Sequence, residues 1–141
     1  SDNKFTPSVI EPAGGLTRTL FAVLLSLYEE EELEKEVRTL FKFKFDLAPI
    51  QIGILPLSKK EELIEVCNSI KSELGPYFRT EIDVTQSIGK RYRRQDEIGT
   101  PYCITVDFDT LEDKAVTVRD RDSMSQERIK IEDIKSYFDN M

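Results

Sequence analysis

The chain has no histidine and no tryptophan, and only two cysteines among its 141 residues. Without histidine there is no serine-histidine or cysteine-histidine nucleophile pair, so a self-contained hydrolase is not expected. Cys67 and Cys103 stand alone, without C-x-x-C spacing, which argues against zinc or redox chemistry and fits a reducing compartment. Long apolar runs are also missing. The longest, Leu20 to Leu27, is interrupted by Ser26 and falls far short of the roughly 20 residues that a membrane span takes. The first residues are polar and include Asp2, unlike a secretory leader. There is no basic excess either: 20 Lys and Arg stand against 27 Asp and Glu, a net charge of -7. That sum speaks against nucleic-acid binding at first sight, although the local field decides and not the total.

What is present is a folded composition, 39% hydrophobic and 33% charged, long enough for about one domain. The cations are clumped. Lys90, Arg91, Arg93 and Arg94 fall close together in a stretch, Val84 to Gln95, that holds no acid, so an acidic protein can still carry a basic patch. Near the start, Val9-Ile10 reads as a short apolar strand running into a Pro12-Ala13-Gly14-Gly15 turn, and the turn opens a helix with Arg18 in its first turn. Glycines let the backbone approach a ligand closely, and a guanidinium suits a phosphate or carboxylate. Such a unit is half of a nucleotide site, or an ordinary α/β connection. The helix itself, with Leu16, Leu20, Phe21, Val23, Leu24, Leu25 and Leu27, is apolar nearly all round, the pattern of a helix buried on every side. Residues 1 to about 30 therefore read as the edge of a larger domain. The acidic run Glu29 to Glu36 reads as a solvated helix end and connector, and the alternation from Leu40 to Phe45 as a half-exposed strand.

From Ala48 the pattern is regular. Ile50 to Leu57 is a buried strand, Ser58 an N-cap, and 59–74 a helix with Leu63, Val66, Cys67, Ile70 and Leu74 on one face, stopped by Gly75-Pro76. A strand at 78–84, a helix at 88–98 closed by Gly99, a strand at 101–108, shorter strands at 115–119 and 127–131, and a helix at 132–140 follow. This order predicts an α/β fold, a three-layer α/β/α domain with a mixed, mostly parallel five-stranded sheet. In the 88–98 helix, Tyr92 and Ile98 are expected inward, while Lys90 and Arg91 in the first turn, with Arg94 and Arg93, face outward to meet phosphate; ordinary surface ion pairs with Asp96 or Glu97 are the alternative. At Arg119-Asp120-Arg121-Asp122 a strand ends in a turn. Arginine donates to base edges and a carboxylate accepts from the amino group of cytosine, in single-stranded loops whose bases are open; a salt-bridged turn with Ser123 and Gln126 as local partners fits equally.

Glu11, Pro12, Gly15, Leu16 and Arg18 fall on a pattern that resembles the third sequence motif of class II aminoacyl-tRNA synthetases, in the form of the glycine branch. Ala13 departs from it, since that branch has a serine there which helps to hold glycine. The blocks 87–101, 105–109 and 116–126 resemble the C-terminal anticodon-binding domain of the same branch. The resemblance implies residues 1–39 as the edge of a catalytic domain, 40–47 as a connector strand and 48–141 as an anticodon-binding domain. It implies that Arg18 is catalytic, binding ATP and offsetting charge on its phosphates, with Glu11 holding the glycine ammonium and Gly15 beside it. Lys90, Arg91, Arg94, Arg119, Asp120, Arg121 and Asp122 are then the tRNA-binding set. ATP with magnesium, glycine and a glycine tRNA, whose anticodon has cytosine second and third, are the implied substrates of the full enzyme, a cytoplasmic or mitochondrial homodimer with no membrane partner and no metal site in this segment. The first two class II motifs are absent from the sequence, so this segment alone is not expected to aminoacylate. A non-catalytic nucleic-acid-binding module on the same scaffold, like the accessory subunit of a mitochondrial DNA polymerase, is the alternative. A flavodoxin-like protein is a third reading, but Leu55 to Lys60 is not a glycine-rich phosphate loop.

Overall fold

In the computed structural model, residues 4–34 and 36–141 are described. Helix α1 (Leu16–Leu27) leads without a linker into a hairpin of β1 (Tyr28–Glu32) and β2 (Val37–Phe41). A short 3-10 turn, Phe45–Leu47, precedes β3 (Ile52–Pro56), α2 (Glu61–Leu74), β4 (Thr80–Ile82), α3 (Ile88–Ile98), β5 (Tyr102–Val106), α4 (Asp109–Asp113), β6 (Ala115–Asp120), β7 (Gln126–Lys130) and α5 (Ile134–Asp139). The five-stranded sheet has the order β4-β3-β5-β6-β7. Its β3 pairs in parallel with β4 and β5, whereas β6 runs antiparallel to both β5 and β7.

Strand alternation divides the side chains between two faces. Ile52, Ile54, Ile104, Val106, Val116 and Val118 join Leu63, Cys67, Ile70 and Leu74 of α2 and Ile134 and Phe138 of α5 in one apolar core. Phe45, Phe78, Tyr102 and Phe138 close its end as an aromatic cluster with centroids 5.5 to 6.1 Å apart. The opposite face belongs to α3. Gly53 makes room for it, since a Cβ there would lie 3.0 Å from Gln95 Oε1. Gly99 ends α3 in the left-handed region at φ 85°, the usual helix stop, and the Phe43 ring and Phe41 carbonyl press against it.

Several expectations are corrected. Residues 4–15 form no strand, and Val9 and Ile10 are exposed, because an isolated apolar segment needs a neighbouring strand for its hydrogen bonds. Glu29 to Glu32 is a strand and not a helix end. Its carboxylates face cations on and beyond β2, Glu29 to Lys42 at 2.5 Å and Glu31 to Arg38 at 2.8 Å, and cross-strand pairing outweighs local preference. The N-cap of α2 is Lys60, with no side-chain cap bond, and Ser58 Oγ is buried without a partner among the described residues. Ile98 faces outward, 37% exposed. Helix α1 buries no residue at all: Leu16, Leu20, Phe21 and Leu25 lie in the open. No described helix is long and apolar enough to cross a membrane.

Candidate nucleic-acid interface

The face of the sheet under α3 carries charge where an apolar layer is usual. Asp96 is fully buried and receives Arg38 Nε at 2.8 Å and Arg119 Nη1 at 3.0 Å. Arg38, also fully buried, bonds Glu31 across the hairpin at 2.8 Å and reaches out of it to the Arg121 carbonyl at 2.6 Å. Burial works against its charge, but Asp96 and Glu31 outweigh that and raise its pKa further. Arg121 in turn donates to the carbonyls of Phe41 at 3.0 Å and Gly99 at 2.9 Å and pairs with Asp122. The hairpin, α3 and the end of β6 are thus joined by guanidinium groups, each satisfied by several acceptors as a buried charge demands.

These positions correct the expected outward cluster. Arg91 is buried, and its guanidinium gathers the carbonyls of Pro56, Val84, Thr85 and Gln86 at the carboxyl ends of β3 and β4. Helical periodicity explains this: Arg91 and Gln95 share the face of α3 turned to the sheet. Arg119 and Arg121 are buried too, Arg119 because it lies in β6, between β5 and β7, and Arg121, just past the strand, because it reaches the Phe41 and Gly99 carbonyls. Arg94 is half-buried against Asp83 at 2.7 Å, and Arg93 bonds Glu36 of the hairpin. Burial pushes the Asp83 carboxyl up, but the Thr85 hydroxyl and N–H and the Arg94 guanidinium more than offset it and hold it below the usual range. Asp120 accepts from the Ser123 N–H at 2.7 Å and hydroxyl at 2.8 Å, and Arg121 holds the half-exposed Asp122 below its usual pKa. Lys90 is exposed and makes no ion pair among the described residues.

A cleft of about 410 Å³ opens above this charged layer, lined by Glu36, Ser87, Lys90, Tyr92, Arg119 and Met124 among others. It is composite, with walls from the hairpin turn, the start of α3 and the β6–β7 connection. Arg119 lies with its guanidinium carbon 4.9 Å from the Tyr92 ring centroid, a cation-π contact that fixes its plane. Met124 on its wall and Gln86, next to Ser87, have φ of 56° and 64°, left-handed conformations that non-glycine side chains seldom adopt. A cleft of about 450 Å³ between β7 and α5, lined by Glu127, Arg128, Lys130 and Asp133, holds none of the expected site residues. Among the described residues no group of acids and cysteines is placed to hold a metal ion.

At the other end of the chain, Glu11, Gly15 and Arg18 are all exposed. Gly15 is the N-cap of α1 with φ -88°, ordinary extended backbone, so no left-handed turn is used there. Arg38, Asp96 and Glu36 were not among the sequence candidates. The signal for Arg38 was its place two residues before Leu40, on the inward side of a strand; Asp96 lies four residues from Tyr92 on the inward side of α3.

Fold and site define a three-layer α/β/α domain that presents a composite polar cleft instead of an enclosed catalytic pocket. The family model described as an anticodon binding domain matches residues 51–141, and the chain belongs to that family. It is 58% identical over 138 residues to a glycine-tRNA ligase of Lachnospira eligens, covering 97% of this chain and 29% of that protein. A glycine-tRNA ligase of Clostridium acetobutylicum is 55% identical over 140 residues, 99% of this chain and 30% of that one. The chain thus spans about 30% of the length of these relatives. Among solved structures, the RNA binding domain of threonyl-tRNA synthetase from Cryptosporidium parvum superposes with a TM-score of 0.65 at 28% identity, over 71% of this chain and 25% of that one. Prolyl-tRNA synthetase of the same organism gives 0.66 at 25% identity, over 72% and 22%.

Proposed function

We propose that this chain is the C-terminal part of a glycine-tRNA ligase and that its α/β/α domain holds the anticodon stem-loop of glycine tRNA while the longer protein attaches glycine with ATP and magnesium. The observation that carries the reading is the composite cleft, with Lys90, Arg119 and Tyr92 on its walls, inside a segment of anticodon-binding family. Lys90, Arg94 and the cleft edge of Arg119 face the RNA. Arg91 and Arg121 serve by tying loops, and Asp120 and Asp122 by shaping the turn after β6. Residues 1–39 belong with the catalytic part of the longer protein, a cytoplasmic or mitochondrial homodimer. There Arg18 acts on ATP, with Glu11 and Gly15 at the glycine. The exposed apolar surface of α1 supports that division. A scaffold-type binding module is the less favoured reading, since Glu11 and Arg18 match a catalytic motif.

The test is binding of the chain to a glycine tRNA transcript and to versions altered at the second and third anticodon bases. The expected result is a loss of affinity of about 1–3 kcal/mol for each altered base, with Lys90→Ala weakening all of them alike and lowering the salt dependence by about one ion. Binding that ignores the anticodon at every salt concentration overturns the reading.

A further inference from the structure

Of the acidic side chains expected to read bases, neither is disposed to do so. Neither lines the cleft: Asp120 Oδ1 accepts from Ser123 in the turn after β6, and both oxygens of Asp122 accept from Arg121. The cleft nevertheless has a carboxylate on its wall, and it comes from outside the matched segment 51–141: Glu36, in the turn of the β1–β2 hairpin. Two features make Glu36 suitable. Its Oε1 accepts from Arg93 Nη2, so its charge is offset, and it offers an acceptor to a base without presenting an unbalanced negative charge to phosphates. Its position is also fixed, because Leu33 N–H closes the turn on the Glu36 carbonyl at 2.9 Å and Arg38, two residues on, is anchored to Asp96 and through it to Arg119.

We infer that Glu36 is a specificity-determining residue that accepts a hydrogen bond from the amino group of an anticodon cytosine seated in this cleft, an inference that rests on the anticodon reading above. The cleft places an acceptor, Glu36, within the same walls as cationic donors, Lys90 and Arg119. The pairing edge of cytosine is the complement, an amino donor beside two acceptors, N3 and O2. Uracil turns a carbonyl toward the carboxylate in place of the amino group and is repelled. The hairpin, most of which lies within residues 1–39, thus serves both parts: it is a wall of the RNA site and not only the end of the catalytic part.

The experiment uses the chain and synthetic anticodon stem-loops in which cytosine at the second or third position is replaced singly by pyrimidin-2-one, which lacks only the amino group. At one of the two positions the unaltered chain is expected to prefer cytosine about tenfold, the scale of a good base contact. Glu36→Ala abolishes that preference, and Glu36→Gln, which keeps an acceptor oxygen, restores part of it. A chain that prefers cytosine at either position, with the ratio unchanged in Glu36→Ala, overturns the inference and leaves the anticodon reading standing. Glu36→Ala tightening every RNA equally has the same meaning, since the carboxylate then acts only by repulsion. Equal binding of the unaltered chain to all stem-loops and to an unrelated hairpin overturns both.

Discussion

Replacing Asp96 by alanine tests whether the buried charges hold the molecule together. The substitution removes the acceptor of Arg38 Nε and of both Arg119 amino groups, in a place where Arg38 is 0% and Asp96 0% exposed. Breaking a buried pair from one side costs about 3–5 kcal/mol, because a charge is left without its partner. Arg119 borders the cleft and, with Asp96 gone, has a route to water there, which moderates its share. Arg38 has no such route and keeps only Glu31 and the Arg121 carbonyl, so the expected loss is about 4 kcal/mol. With a slope of about 2 kcal/mol per molar urea for a domain of this size, the denaturation midpoint falls by about 2 M. Asp96→Asn, which keeps the shape and one acceptor, falls by about half as much. In a double-mutant cycle with Arg38→Met the coupling exceeds about 1.5 kcal/mol. A loss below about 1 kcal/mol for Asp96→Ala, on an unchanged slope, refutes the reasoning, for it means the arginines reach solvent at little cost.

Gly99→Ala is expected to cost about 2–4 kcal/mol in urea denaturation, since alanine resists positive φ and its Cβ would meet the Phe43 ring at 2.4 Å and the Phe41 carbonyl at 2.9 Å. Burial pushes the thiols of Cys67 and Cys103 up to about 12, so an aromatic disulfide reagent at pH 8 should modify neither until the chain unfolds, and then both together; rapid reaction of the native protein contradicts this. Asp83 and Asp107 are held below their unfolded value of about 3.9. A depressed carboxylate stabilises the fold above its unfolded pKa, and that share is lost as pH falls through about 4 and past the folded value. Urea midpoints from pH 7 to pH 3 should therefore drop in acid, and less steeply in Asp83→Asn.

Periodicity made the second unit legible. The five strands, α2, α3 and the Gly99 stop all follow from apolar spacing and helix punctuation, and α3 runs over the residues that spacing assigns. What periodicity could not supply was the direction of the arginines. A cluster of cations in a sequence looks like a surface, and Arg93 and Arg94 are at the surface; Arg91 is not, because four carbonyls from two separate segments, the end of β3 and residues 84–86, converge on it, and only the assembled fold creates that demand. The same holds for Arg119 and Arg121. The strand at 28–32 was hidden for a related reason: four consecutive glutamates favour a strand only once Lys42 and Arg38 lie opposite. Val9-Ile10 shows the converse, a segment with strand-like composition and no described partner.

Helix α1 has no loop at its end. Leu27 closes it, Tyr28 begins β1, and Lys42 N–H returns to the Leu27 carbonyl at 2.7 Å, while the same hairpin is pinned to α3 through Arg38. With about 1.5 Å of rise per residue, α1 is a stiff arm of about 18 Å rooted at the open end of the hairpin whose turn carries Glu36 to the cleft. Between Arg18 and the hairpin there is thus no loop to act as a hinge. On the reading proposed above, a nucleotide at one end and an RNA loop at the other would then be held at a set separation, as by the two jaws of a gauge.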